Sequence, residues 1–392
     1  MRENRIRQKN LKDQHCLILN NMGSTFASYI SSYIKDKYGK DAESIFSLSY
    51  ILQYLVHKTK SANKGAKARG SFANLYAIYV IIEDYLSKGF DKSGKYSDYE
   101  GAQFSVLLKR QRELPFGAKL QNHALNSRMN EEFFKYFPTQ TGMPPIMRDL
   151  ETQRYWFNEN YLKIRVGGHT YNIAEDIMNI IDHYVEVKQD TFKQFIVQCE
   201  TLQNIDVEDT AEVTDFIMTL LAPNVDARLF EIVSYSILKY YYKDVKIYWG
   251  YTPEIEKLKK DYLHLYKTGR TNANDGGIDF VMRPLGRFFQ VTETLDFKKY
   301  FLDIEKIERF PLSFVIKSEE SAEDLMEKLK VDALKTYIVQ KVVDDYLRCI
   351  EEIINIPELK NYLEELDKRN MVGEVLKEII LQSKVEFNYE DD

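Results

Sequence analysis

Only three cysteines, Cys16, Cys199 and Cys349, occur in 392 residues, and they stand far apart. This excludes a disulfide framework and a cysteine-based zinc site, since both need paired or closely spaced thiols. No apolar run approaches the ~20 residues that a membrane-crossing helix requires. The first residues, Met1-Arg2-Glu3-Asn4-Arg5, are charged rather than apolar, so no secretory leader is expected. Internal repeats and low-complexity tracts are also missing. Together these absences lead to the expectation of a cytoplasmic protein with no membrane partner.

What is present is an ordinary globular composition, 44% hydrophobic and 29% charged, long enough for two or three domains with their own cores. The 28 tyrosines and 22 phenylalanines supply that core, with some left over as stacking surfaces for bases. The formal charge of −6 hides an asymmetry: residues 1–150 carry 23 Lys and Arg against 14 Asp and Glu, and the remainder 31 against 46. Phosphate affinity follows the local field and the counterions released. A basic amino-terminal region can therefore bind nucleic acid within an acidic protein.

Apolar residues recur at helical spacing over Leu17–Tyr38 and Ala42–His57, predicting two helices. Lys58 to Ser71 then holds five cations, no acid and two glycines before the apolar helical run Phe72–Tyr85. It reads either as a loop offering Lys64, Lys67, Arg69 and Ser71 to phosphates at a helix start, or as a solvated interhelical loop. Gly65 and Gly70 have the spacing of a nucleotide-binding loop, but Ser71 stands where that loop needs lysine, which excludes it. A second basic run, Lys109, Arg110, Arg112 and Lys119, surrounds Pro115 and Gly117. Gln121, Asn122, Asn126 and Arg128 follow, residue types able to bond base edges or simply to line a polar loop. Pro138 to Pro145 predicts a linker or a rigid loop. A hairpin with a Gly167-Gly168 turn follows over Tyr161–Ile173, presenting Lys163 and Arg165 on one face. Helical periodicity covers Ala174–Gln203, and acids gather from Asp206 to Asp215.

Candidate chemistry concentrates in Asn274-Asp275-Gly276-Gly277-Ile278-Asp279-Phe280-Val281-Met282 and Arg287-Phe288-Phe289-Gln290-Val291-Thr292-Glu293. Two short apolar runs flank Pro284-Leu285-Gly286, the pattern of a β-hairpin. Asp279 lies six residues before the turn centre and Gln290 five after it, which predicts that the two face each other. A carboxylate beside a second oxygen-bearing side chain suits a hard divalent cation. The basic segment Lys267 to Ala273, with Arg270, precedes it and reads as a flexible loop able to steer a phosphate. Pro311–Lys317 is a further strand candidate, and the chain then turns acidic and helical.

This arrangement resembles the catalytic core of PD-(D/E)XK nucleases, above all their type II restriction endonuclease and Mrr-like branch. There a glycine pair and Ile-Asp lead into a hairpin, followed by Glu or Gln, any residue, and Lys. The resemblance covers about Ala227 to Lys317. It implies that Asp279 is the main ligand of a Mg²⁺ cofactor, that Gln290 and the Val291 carbonyl complete the site, and that Glu231 serves as an outer or second-metal ligand. A strand at Val245–Trp249 is expected to follow the helix bearing Glu231. Thr292 occupies the position of the family lysine, and its hydroxyl does not titrate near neutral pH. Lys267, Lys298 or Lys317 would replace that lysine, or Glu293 or a metal hydroxide would suffice without it.

The expectation is thus a mixed α/β protein. A basic, mostly helical DNA-recognition region (1–150) leads through a hairpin and helical connector (151–222) to a nuclease-like core with a small mixed sheet (223–318) and an acidic helical tail (319–392). The resemblance implies a Mg²⁺-dependent restriction endonuclease acting on double-stranded DNA, a homodimer, and a cognate DNA methyltransferase as partner. The alternative is a nuclease-shaped DNA-binding or scaffold protein that has lost catalysis.

Overall fold

The computed structural model describes residues 26–62, 68–92, 95–118, 120–203, 210–252, 254–268 and 278–387, with backbone alone at 61–62 and 68–71. The chain is a mixed α/β protein of two compact units, Met1–Lys193 and Gln194–Asp392, divided within the helix Ala174–Gln203. The segment expected as a connector, 151–222, is shared between them. No helix among the described residues is long and apolar enough to cross a membrane.

The first unit packs around the helix Ala68–Ser87, in which Leu75, Ala77, Ile78, Val80, Ile81 and Ile82 are all at most 1% exposed. A helix apolar on every side must be surrounded, and this one is. The single helix expected over Ala42–His57 is two, Ala42–Leu48 and Tyr50–Ala62, because Ser49 takes an extended backbone between them. The basic stretch from Lys58 is also corrected. Lys58 is a buried residue of the helix Tyr50–Ala62, with Nζ 2.5 Å from Glu132 Oε1, and Asn74 Nδ2 donates to the other carboxylate oxygen at 2.8 Å. The Pro138–Pro145 segment opens on the 3-10 turn Pro138–Gln140, and its Met143 carbonyl accepts from buried Tyr161 at 2.7 Å. The Gly167-Gly168 hairpin forms between Lys163–Val166 and His169–Asn172; both glycines have positive φ, 56° and 85°, as the tight turn demands.

The second unit holds α1 (Ala227–Tyr242), then β1 (His264–Lys267), β2 (Phe280–Arg283), β3 (Arg287–Thr292), α2 (Phe297–Lys306), β4 (Leu312–Ile316), β5 (Ile350–Ile354), α3 (Ile356–Lys368) and α4 (Val372–Phe387). The five strands form one mixed sheet in the order β5-β4-β3-β2-β1, antiparallel across β1, β2 and β3 and parallel across β3, β4 and β5. Every residue of β4 is buried, as expected of a central strand covered on both faces. One face packs Leu265, Phe280, Met282, Phe289, Val315 and Ile354 against α1, α3 and α4. The other packs Phe288, Leu312, Phe314 and Ile316 against Tyr300, Phe301 and Ile304 of α2.

The strand expected after α1 forms, as Lys246–Trp249, and pairs with Lys259–Tyr262 in a two-stranded ribbon apart from the main sheet. Two other expectations are corrected. The sheet edge is instead β1, which contains Lys267, a residue expected in a flexible loop. The acidic carboxy-terminal segment is not purely helical either: it contributes β5 to the sheet and Ile356, Leu359, Leu363, Leu376 and Ile379 to the core.

Candidate active site

The hairpin is closed by Gly286, whose φ of 71° favours glycine and whose N–H donates to the Met282 carbonyl at 2.9 Å. From that turn the ladder pairs Met282 with Arg287, Val281 with Phe288 and Phe280 with Phe289. The ladder ends at that pair, one step short of the Asp279–Gln290 pairing expected from the turn. The Asp279 N–H donates to the Phe289 carbonyl at 2.9 Å, and the Val291 N–H donates to Asp279 Oδ2 at 2.7 Å. The carboxylate therefore takes the place of a backbone carbonyl where the ladder ends. On its other side the Asp279 carbonyl accepts from the Thr268 N–H at 3.0 Å.

Alternation along β3 decides which side chains share a face. Gln290 is level with Phe314 and Thr292 with Ile316, both on the α2 face; Val291 packs with the α1 core. Gln290 is 8% exposed, its Nε2 donates weakly to the Val291 carbonyl at 3.4 Å, and its buried Oε1 has no hydrogen-bond partner among the described residues. A buried amide oxygen without a donor is costly, and a cation or a water relieves the cost. Asp279, that oxygen and the Val291 carbonyl are the groups able to hold a magnesium ion, which characteristically takes one or two carboxylates and keeps several waters. Among the described residues no group of three or more His, Cys, Asp or Glu side chains gathers into a ligand set.

Because β1, β3, β4 and β5 run the same way, their carboxyl ends and the start of β2 lie at one end of the sheet. This is the end where α/β sheets place ligands. Two ion pairs flank it on the α1 face. Glu231, 6% exposed, lies 3.1 Å from Lys267 Nζ, and Glu293 lies 2.7 Å from Lys317 Nζ. Lys317 also donates to the Val225 carbonyl, and its N–H donates to the Thr292 carbonyl at 3.0 Å.

No family model, curated protein or solved structure matches this chain.

Of the three lysines expected to replace the family lysine, Lys267 and Lys317 are thus held by carboxylates. Lys298 is exposed on the first turn of α2, where its N–H is capped by Asp296. The residue missed from the sequence is Lys299, whose Nζ donates to Thr292 Oγ1 at 3.0 Å. Its signal was the Asp296 cap, which starts a helix that carries Lys299 back over β3. Beside it Tyr300 packs at a tilt on Phe314, ring centroids 4.4 Å apart, and burial pushes its phenol above the ordinary range, which removes it as a base.

The nucleic-acid residues expected in the first unit separate into three groups. Lys109, Arg112, Lys163 and Arg165 are exposed, although Lys163 reaches Glu159 at 2.5 Å and Arg112 Nε donates to the Leu120 carbonyl at 3.1 Å. Arg110, partly exposed, is clamped in a two-point pair with Glu83, both bonds 2.8 Å. Asn126, of a type able to bond base edges or simply to line a polar loop, accepts from Tyr155 at 2.9 Å. Lys64, Lys67, Lys119, Arg270 and the Gly276-Gly277 pair lie outside the described residues, as do the side chains of Arg69 and Ser71.

Proposed function

We propose that the chain is a Mg²⁺-dependent endonuclease that hydrolyses phosphodiester bonds in double-stranded DNA, of the type II restriction kind. The observation that carries the reading is the Asp279 carboxylate, which accepts from the N–H of Val291, next in sequence to Gln290, whose Oε1 is buried and unpartnered among the described residues. A magnesium ion in that position supplies charge neutralisation at the phosphate and a more acidic water. The protein's share is then positional. Val291 N–H fixes one oxygen of Asp279, and the ladder of β3 with β4 holds Gln290 in place. Glu231 and Lys267 brace the α1 side of the same end.

The exposed cations of the first unit support a duplex partner through backbone contacts, and a homodimer supplies the second cut that double-strand cleavage needs. Within a restriction system a DNA methyltransferase protects the host sequence.

The test is cleavage of supercoiled plasmid with and without magnesium, for the wild-type chain and for Asp279→Ala. Discrete fragments lost in the variant support a sequence-specific enzyme, and a smear a nonspecific one. Retarded but intact DNA at every magnesium concentration favours the second reading, a nuclease-shaped binding protein, for which Thr292 at the lysine position is the specific argument.

A further inference from the structure

We infer that Lys299 of α2 supplies the cation that acts on the scissile phosphate, with Thr292 as the residue that positions it. The inference rests on the endonuclease reading and names the group that reading lacks. Thr292 is two residues beyond Gln290 on the same face of β3, and it is 3% exposed. Its Oγ1 accepts from Lys299 Nζ at 3.0 Å, so an ammonium stands at the tip of position 292 although position 292 is not a lysine. The route is short: β3 ends at Thr292, Asp296 caps α2, and Lys299 lies on the first turn facing back to the strand.

A second observation points to an anion. Lys299 is partly buried, yet among the described residues no carboxylate lies within ion-pair distance of it. Two other lysines on this end are matched, Lys267 by Glu231 and Lys317 by Glu293. A partly desolvated ammonium whose hydrogen bond goes to a neutral hydroxyl is an incomplete charge, and a phosphate oxygen completes it.

In the reaction a water oxygen bonds to phosphorus and the bridging phosphorus–oxygen bond breaks. The water proton passes to solvent, and the leaving oxygen takes one up from it. Lys299 stays protonated throughout and stabilises the charge that grows on the non-bridging oxygens. Thr292, accepting one N–H of the ammonium, fixes its direction.

The experiment uses the full chain and three variants, Lys299→Ala, Lys299→Arg and Thr292→Lys combined with Lys299→Ala. Plasmid cleavage in magnesium and duplex-oligonucleotide binding without metal, across a salt series, are both measured. Lys299→Ala is expected to lower cleavage by about 100-fold, the scale set by losing one transition-state donor. It also lowers the salt slope of binding by ~0.9, one phosphate contact. Lys299→Arg keeps the slope, and the double variant restores cleavage toward wild type because it returns the ammonium to the strand. Undiminished cleavage in Lys299→Ala overturns the assignment while the endonuclease reading stands. A wild-type chain that never cleaves ends that reading, and the salt slope then decides Lys299 alone: a loss of ~0.9 upholds its phosphate contact and an unchanged slope removes it. A wild-type chain that does not retain DNA overturns both.

Discussion

Glu231 of α1 and Lys267 of β1 meet 3.1 Å apart with side chains only 8% and 14% exposed, so a charged pair pins the first helix to the edge strand. Removing one partner strands the other charge in a poorly solvated place. Lys267→Ala is expected to destabilise the second unit by about 3–5 kcal/mol, whereas Glu231→Gln with Lys267→Met together cost much less. Each unit contains one tryptophan, Trp156 and Trp249. Urea unfolding followed by fluorescence in a Trp156→Phe background reads the second unit alone. Equal losses in the single and double variants would contradict the pair's role.

Ion binding is checked without any substrate. A ligand at a hundred times its dissociation constant stabilises the folded state by about 2.7 kcal/mol. Magnesium titrated into the wild-type chain is expected to raise the melting temperature, and Asp279→Ala to abolish the rise. An equal shift in both proteins would place the ion elsewhere.

How much of this was readable in the sequence depends on how each element is specified. The β2–β3 hairpin was legible because its turn residues and apolar runs are local signals, but the ladder stops at Phe280–Phe289, one step short of the Asp279–Gln290 pairing counted from the turn. β1 was hidden: four residues, His264-Leu265-Tyr266-Lys267, only one of them fully buried, look like a polar segment until β2 pairs with them. β5 was masked by Glu351 and Glu352, which belong to the sheet because Arg287 on β3 bonds both Glu352 and Ser313 and pairs with Glu351 at 3.4 Å. Lys58 and Arg110 counted as surface charge because their acids, Glu132 and Glu83, lie 74 and 27 residues away. Lys299 escaped for the same reason at short range, since only the fold of α2 onto β3 brings it to Thr292.

A pH effect is expected in the first unit. Burial raises the Asp182 carboxyl above its ordinary value, Tyr79 partly offsets this with a long hydrogen bond, and Glu186 and Glu83 add to the rise. A carboxyl raised in the folded state binds its proton more tightly there than in the unfolded chain. Its contribution is present below the unfolded value and is lost as pH rises through the folded one. Asp182→Asn, which keeps the shape without the charge, is therefore expected to flatten the fall in stability that begins just above the ordinary carboxylate range. Denaturation midpoints across that range, read from Trp156 in a Trp249→Phe background, measure it; a fall of unchanged steepness would count against Asp182 as its source.

The buried Oε1 of Gln290 makes the candidate site a liability to the fold when nothing occupies it. Leaving a buried acceptor unbonded costs about 1–3 kcal/mol, and the weak Nε2 contact at 3.4 Å recovers little of that. Gln290→Met keeps the length of the side chain and replaces the amide with groups that need no partner. It is expected to stabilise the metal-free protein by about 1 kcal/mol, while removing the magnesium-induced rise in melting temperature and the cleavage. Stability and ion binding then move in opposite directions from one substitution, which a side chain present only for packing would not do. If Gln290→Met instead loses stability without magnesium, the amide is satisfied in solution by water, and its buried oxygen is a structural feature rather than an ion ligand.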